Sequence, residues 1–115
     1  MVTAMRTELE SALRQAFDEA EMALGRGEPS VALVWLERAH ILGQRLSLPH
    51  AHAHWLMLRA GWQLRDWREV VGQLPRILAA LLFSRIWVPL GNSGRARVSA
   101  FRPMPISEEL RRLLE

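Results

Sequence analysis

The chain has 115 residues, half of them apolar, which suits one small domain with a modest core. It lacks cysteine, so thiolate metal sites, iron–sulfur clusters and disulfides are excluded. The net charge is +3 and every basic residue is an arginine, but the charge is uneven: residues 1–40 carry seven acidic against four basic side chains, and residues 41–102 carry nine arginines against Asp66 and Glu69. An acidic first helix packed beside a basic middle is the expectation, with the fields partly cancelling. No run of adjacent arginines exceeds Arg111-Arg112, so there is no strong nucleic-acid signal.

Residues 4–24 read as an amphipathic helix. Met5, Leu9, Ala12, Leu13, Ala16, Phe17, Ala20 and Leu24 recur at three- and four-residue steps. Gly25-Arg26-Gly27 ends it. Pro29 suits the first turn of a second helix running to about Gln44. Ala32, Leu36, Ala39 and Gly43 form one stripe of it, and its small residues permit close helix approach. Ser47 as N-cap and Pro49 near the first turn open a third helix, to about Leu64. Asp66-Trp67-Arg68-Glu69 has capping-box spacing and opens a fourth. Val70, Val71, Leu74, Ile77, Leu78, Leu81 and Leu82 are expected to supply its buried side, and Pro75 to kink or split it.

From Pro89 the texture changes. Leu90-Gly91-Asn92-Ser93-Gly94 is a turn-rich break, and Arg95 to Ser107, with Pro103 and Pro105, reads as an extended arm. Phe101, Met104 and Ile106 are expected to pin that arm to the helices, and Glu108–Glu115 to form a short last helix. A weak repeat at a spacing of 39 relates Gly27–Arg38 to Asp66–Ile77. The expected fold is all-α: two packed helical hairpins, tetratricopeptide-like or a short bundle, over residues 1–88. Residues 89–115 add the turn, arm and short helix on the same domain. Ile77–Phe83 is too short for a membrane span and reads as a buried core helix. The first residues lack the apolar core of a signal peptide, and a cytoplasmic location is expected.

The chemistry-bearing residues are histidines. His50 and His54 are four apart and share a helix face. His40 lies about five residues, or ~7 Å, from the end of helix two, and His54 as far from the start of helix three. An antiparallel pairing therefore sets them level, with His50 one turn nearer the loop. Three neutral imidazoles so placed can bind a divalent transition ion: Zn, Ni, Cu or Fe(II). Glu37, one turn from His40 in a Glu-x-x-His spacing, is the candidate fourth ligand or orienting group. His52 points elsewhere and reads as an ordinary solvated or packed histidine. Five tryptophans read mainly as core and hairpin packing. Arg59, Trp62, Arg65 and Trp67 interleave and are the candidate partner-binding residues. No phosphate loop, dinucleotide fingerprint or nucleophile elbow is present.

Three blocks carry a resemblance. Leu36-Glu37-Arg38-Ala39-His40-Ile41-Leu42-Gly43-Gln44, then His50 to Arg59, then Val88 to Gly94 with Phe101-Arg102-Pro103-Met104-Pro105-Ile106, together resemble a family of small bacterial proteins catalogued as domain of unknown function 3703. The resemblance spans essentially the whole chain. It implies a small, soluble, helical bacterial protein and no particular activity. His40, His50 and His54 fall inside the blocks.

The leading expectation is thus a small metal-binding protein that buffers, senses or delivers a divalent ion through His40, His50, His54 and Glu37. The alternatives are a metal-free tetratricopeptide-like interaction module, working through the groove between hairpins or the basic 59–102 surface, and a metal-dependent enzyme. An enzyme is the less favoured reading, because no nucleophile or base beyond Glu37 is evident.

Overall fold

A computed structural model describes residues 2–115, with side chains described from Thr7 onward; Met5 lies outside the described side chains. Five helices follow one another: α1 (Val2–Gly25), α2 (Pro29–Leu42), α3 (Ser47–Leu64), α4 (Trp67–Phe83) and α5 (Glu108–Leu114), with no strand among the described residues. The all-α class is as read from periodicity. Helices α1 and α2 form one packed pair and α3 and α4 another. Helix α2 also lies against α3, and α5 closes over α1 and α2.

The core explains the order of these contacts. Ala20, Ala23 and Leu24 of α1 meet Ala32, Leu33 and Leu36 of α2 and Leu56, Met57 and Ala60 of α3. A second cluster gathers Leu13, Ala16, Ala39, Leu42 and Leu110, with Ile106 of the arm packed against it. Alanines alternate with leucines in both clusters, so the helix axes can approach closely at the small residues while the leucines fill the space between. Gly43 extends this: a Cβ there would stand 3.0 Å from Pro49 Cβ at the start of α3.

Helix ends follow partly from the sequence. Asp66 caps α4, its carboxylate accepting from the Glu69 amide at 3.3 Å, as the capping-box spacing predicts. Ser47 is not the cap of α3; Leu46 occupies that place in extended conformation and Ser47 is the first helical residue. Pro75 lies within α4 and does not split it.

The largest departure concerns which side of α4 is buried. The sequence suggests an apolar buried face. The structure buries Glu69, Val70, Gln73 and Ala80, and leaves Val71, Leu74, Leu78, Leu81 and Leu82 exposed. The amphipathic period is as read and Val70 is buried as expected, but the rest of the apolar stripe faces outward. The physical reason is that the polar side of α4 finds fixed partners inside, on α3 and on the segment after Pro89, which no surface position would supply. Within Ile77–Phe83 Ala80 is buried while Leu78, Leu81, Leu82 and Phe83 are exposed, and no helix is long and apolar enough to cross a membrane among the described residues. The tryptophans depart in the same direction: Trp35 packs against the core, whereas Trp55, Trp62, Trp67 and Trp87 are about half exposed. Phe101 also does not pin the arm. It is 76% exposed, and Ile106 does the anchoring.

This arrangement is testable by paired substitutions. Leu36→Ala, at a fully buried position, should cost about 2–5 kcal/mol. Leu78→Ala, on the outward stripe of α4, should change stability by no more than about 0.5 kcal/mol. Urea denaturation midpoints of the two variants check both.

Candidate metal centre

His40 projects from the last turn of α2, and His50 and His54 project from the first two turns of α3. The short connection after Leu42 makes the two helices antiparallel neighbours, so the three rings meet as the helix heights predict. All three are buried. Their Nε2 atoms form a triangle: 3.0 Å from His50 to His40, 3.2 Å from His40 to His54 and 3.1 Å from His54 to His50.

What each Nδ1 touches fixes the state of each Nε2. His40 Nδ1 is 2.7 Å from the Asn92 carbonyl oxygen, which can only accept, so His40 donates there. His54 Nδ1 is 2.6 Å from Gln73 Oε1. The Gln73 amide nitrogen is turned the other way, donating to Glu69 Oε2 at 2.5 Å and to the Gly94 carbonyl at 2.9 Å. His54 therefore donates as well. His50 Nδ1 is 2.8 Å from Ser84 Oγ, and that hydroxyl spends its own proton on the Ala80 carbonyl one turn back. Ser84 is thus an acceptor for His50. Every imidazole carries its proton on Nδ1, and three Nε2 lone pairs face one another across about 3 Å.

Three acceptors cannot hydrogen-bond to each other. They repel unless something positive stands among them. The triangle could hold a metal ion: the Nε2 atoms of His40, His50 and His54 stand 3.0–3.2 Å apart and would supply it with three neutral nitrogen donors. Among the described residues, these three histidines form the group whose ligand atoms all lie within 4.8 Å of one another. Protons are poor occupants. Burial, then the neighbouring His54 and His50, hold His40 well below its ordinary value, against the raising effect of the Asn92 carbonyl. Burial lowers His50 to about 4, with the Gln44 carbonyl opposing. Burial and then His50 lower His54 to about 3, with Gln73 opposing.

Behind the donors lies a chain of fixed polar groups. Gln73 is held by Glu69; Glu69 accepts from Arg95 Nε at 2.7 Å and from the Ala96 amide at 2.9 Å. Arg95 then reaches Glu37, with Nη1 3.4 Å from Oε2. The structure therefore does not bring Glu37 to the histidines. Its carboxylate is turned to Arg95, at the far end of the chain Arg95–Glu69–Gln73–His54. The loop after Pro89 supplies the other support. Asn92 donates from its side chain to the carbonyls of Ser99 and Arg102 at 2.7 Å each and accepts from the Gly94 amide at 2.8 Å. Gly94 takes a φ of +85°, and a Cβ there would lie 2.6 Å from His40 Cδ2. Glycine is required both by the backbone and by the ring lying on it. His52, as expected, stands apart, stacked on Phe17 with 4.5 Å between ring centroids.

The candidate partner-binding residues lie on the surface, away from this group. Arg59 and Arg65 are exposed, and Trp62 and Trp67 meet edge to face with 5.1 Å between centroids. The sequence reading missed Gln73, Ser84 and Asn92 as orienting groups. One signal was present: Gln73 is a polar residue among Val70, Val71 and Leu74.

Fold and site together define an all-helical protein with a buried three-histidine group whose geometry can hold a metal ion. The chain belongs to the family described as protein of unknown function DUF3703, whose family model matches residues 7–114. No curated protein and no solved structure matches it.

Two predictions come from this geometry. A histidine with a lower pKa folded than unfolded is protonated first in the unfolded chain, so acid favours unfolding. Stability of the metal-free protein should be full above about pH 6.5 and decline as pH falls towards about 3, the window between the ordinary histidine value and the lowered ones. Thermal melts across that range check it, with His54→Gln showing a shallower decline. Gly94→Ala should cost about 1–3 kcal/mol by combining left-handed strain with contact against His40. Chemical denaturation measures that cost.

Proposed function

We propose that this chain is a divalent transition-metal-binding protein whose ion is held by His40, His50 and His54. The observation that carries this reading is the convergence of three Nε2 lone pairs, each enforced by a separate acceptor behind its ring. A cluster serving only to pack helices would have no need to orient all three rings this way, and mutual repulsion would disfavour it. The donor set is neutral and nitrogen-only, which suits Zn, Ni, Cu or Fe(II) rather than Mg or Ca. Buried ligands, each held by a hydrogen bond behind its ring, favour an ion that stays with the protein over one released quickly to a partner. Within the choice of buffering, sensing and delivery, this weighs towards slow exchange. Glu37 acts through Arg95 and Glu69 on Gln73, as a distant support of His54 rather than as a ligand.

The exposed stripe of α4 with the Trp62–Trp67 pair supports a second reading, as a helical interaction module. The two are compatible, because that surface lies outside the histidine group.

The test is elemental analysis and calorimetry on protein made without a histidine tag. One ion per chain is expected, lost in His40→Ala and His54→Ala and retained in Glu37→Ala. Gln73→Leu and Ser84→Ala should weaken affinity by about 10–100-fold, as loss of groups that orient ligands does elsewhere. No uptake, together with no thermal shift in Zn, Ni, Cu or Fe(II), would reduce the histidines to packing residues.

A further inference from the structure

The histidines form one wall of a cavity of about 560 Å³, a size typical of small-molecule sites. The remaining walls are mostly apolar, with Ala79, Ala80 and Phe83 from α4 and Trp87, Val88 and Phe101 from the segments beyond it. Phe83, Ile86, Trp87 and Phe101 are each more than half exposed, so apolar surface continues from the cavity out to its rim.

The polar groups in the lining are few and mostly committed. Gln44 donates to the Pro89 carbonyl and accepts from the Gly91 amide. Ser84 and Asn92 are engaged in orienting His50 and His40. No carboxylate lines the cavity. Arg76 does line it; Nη1 and Nη2 donate to the carbonyls of Gly72 and Val98, and the guanidinium makes no ion pair among the described residues.

The cavity is therefore mostly apolar, with Arg76 as the one charged side chain in its lining among the described residues. A divalent ion on three neutral imidazoles would add two charges to that of Arg76; the lining holds no carboxylate, and Glu69, whose charge acts on Arg76 from behind the lining, is already engaged by Arg95, the Ala96 amide and Gln73. A half-buried positive charge beside apolar walls, without an ion pair of its own, favours an anion as its partner. We propose that this cavity binds an organic carboxylate with an apolar body, its carboxylate directed to the histidine-held ion and Arg76 and its body lying along Ala79, Phe83 and Trp87. The inference deepens the metal reading and rests on it for part of the head-group attraction; Arg76 and the apolar walls stand without it.

The experiment uses the full chain, metal-loaded and metal-free, titrated with decanoate, 1-decanol and decylamine and followed by calorimetry and tryptophan fluorescence. One decanoate per metal-loaded chain is expected, with decanol and decylamine bound at least about tenfold more weakly. Arg76→Gln should weaken decanoate by about tenfold and leave metal content unchanged. Because Arg76 also ties α4 to Val98, a second variant is needed. Ala79→Trp, at an exposed position of α4 on the cavity wall, should block decanoate without loss of metal or fold. Equal binding of decanol and decanoate, or no saturable decanoate binding to metal-loaded protein, overturns the proposal. Should the chain take up no metal, decanoate binding that Arg76→Gln abolishes sustains the cavity assignment while the metal reading falls; no decanoate binding in either form overturns the cavity assignment.

Discussion

Repulsion among three imidazole lone pairs is the constraint around which the rest of this protein is arranged. Left to themselves, buried neutral histidines would turn a ring or change tautomer until one donated to another. Here neither escape is open, since a backbone carbonyl, a hydroxyl whose proton is spent and an amide oxygen each claim an Nδ1 proton. The three acceptors come from different places: Asn92 from the turn after Pro89, Ser84 from the end of α4, and Gln73 from its middle. The helical hairpin of α2 and α3 presents the donors. Helix α4 and the following turn hold them in place.

That division of labour explains why α4 is turned with its polar side inward. Glu69 and Gln73 are among the most fully buried large side chains in the molecule. Burying a carboxylate costs several kcal/mol unless it is paired and hydrogen-bonded. Glu69 is satisfied by Arg95, the Ala96 amide and Gln73 together. The arm after Gly94 is consequently part of the site's support, tied to α4 by Arg95 and by Arg76 on Val98. The uneven charge along the chain is used locally: an arginine of the basic middle meets Glu69 of α4 and Glu37 of the acidic first part.

Much of the fold is legible in the sequence, and the limits have physical causes. The period of α1 to α4, the cap at Asp66 and the convergence of His40, His50 and His54 depend on local geometry, which residue spacing records. The buried side of α4 does not, because hydrophobicity alone cannot see that Gln73 has a partner on α3 and Glu69 one on the arm. The same blindness places Ser84 and Asn92 outside the sequence reading: they lie 34 and 52 residues from the histidines they orient. Glu37 illustrates the converse. Its spacing from His40 suits a ligand, yet Arg95, 58 residues away, draws its carboxylate aside.

The locked tautomers also bear on how such a centre exchanges with its surroundings. Most histidine sites must shed protons when an ion enters, and so their occupancy follows the acidity of the medium. Here each Nε2 is already bare, and burial keeps it so near neutrality. An ion filling the triangle would displace no proton from the donors. The three donors would then contribute no proton to the heat of filling, and near neutrality the acidity of the medium would not decide whether they are ready for an ion.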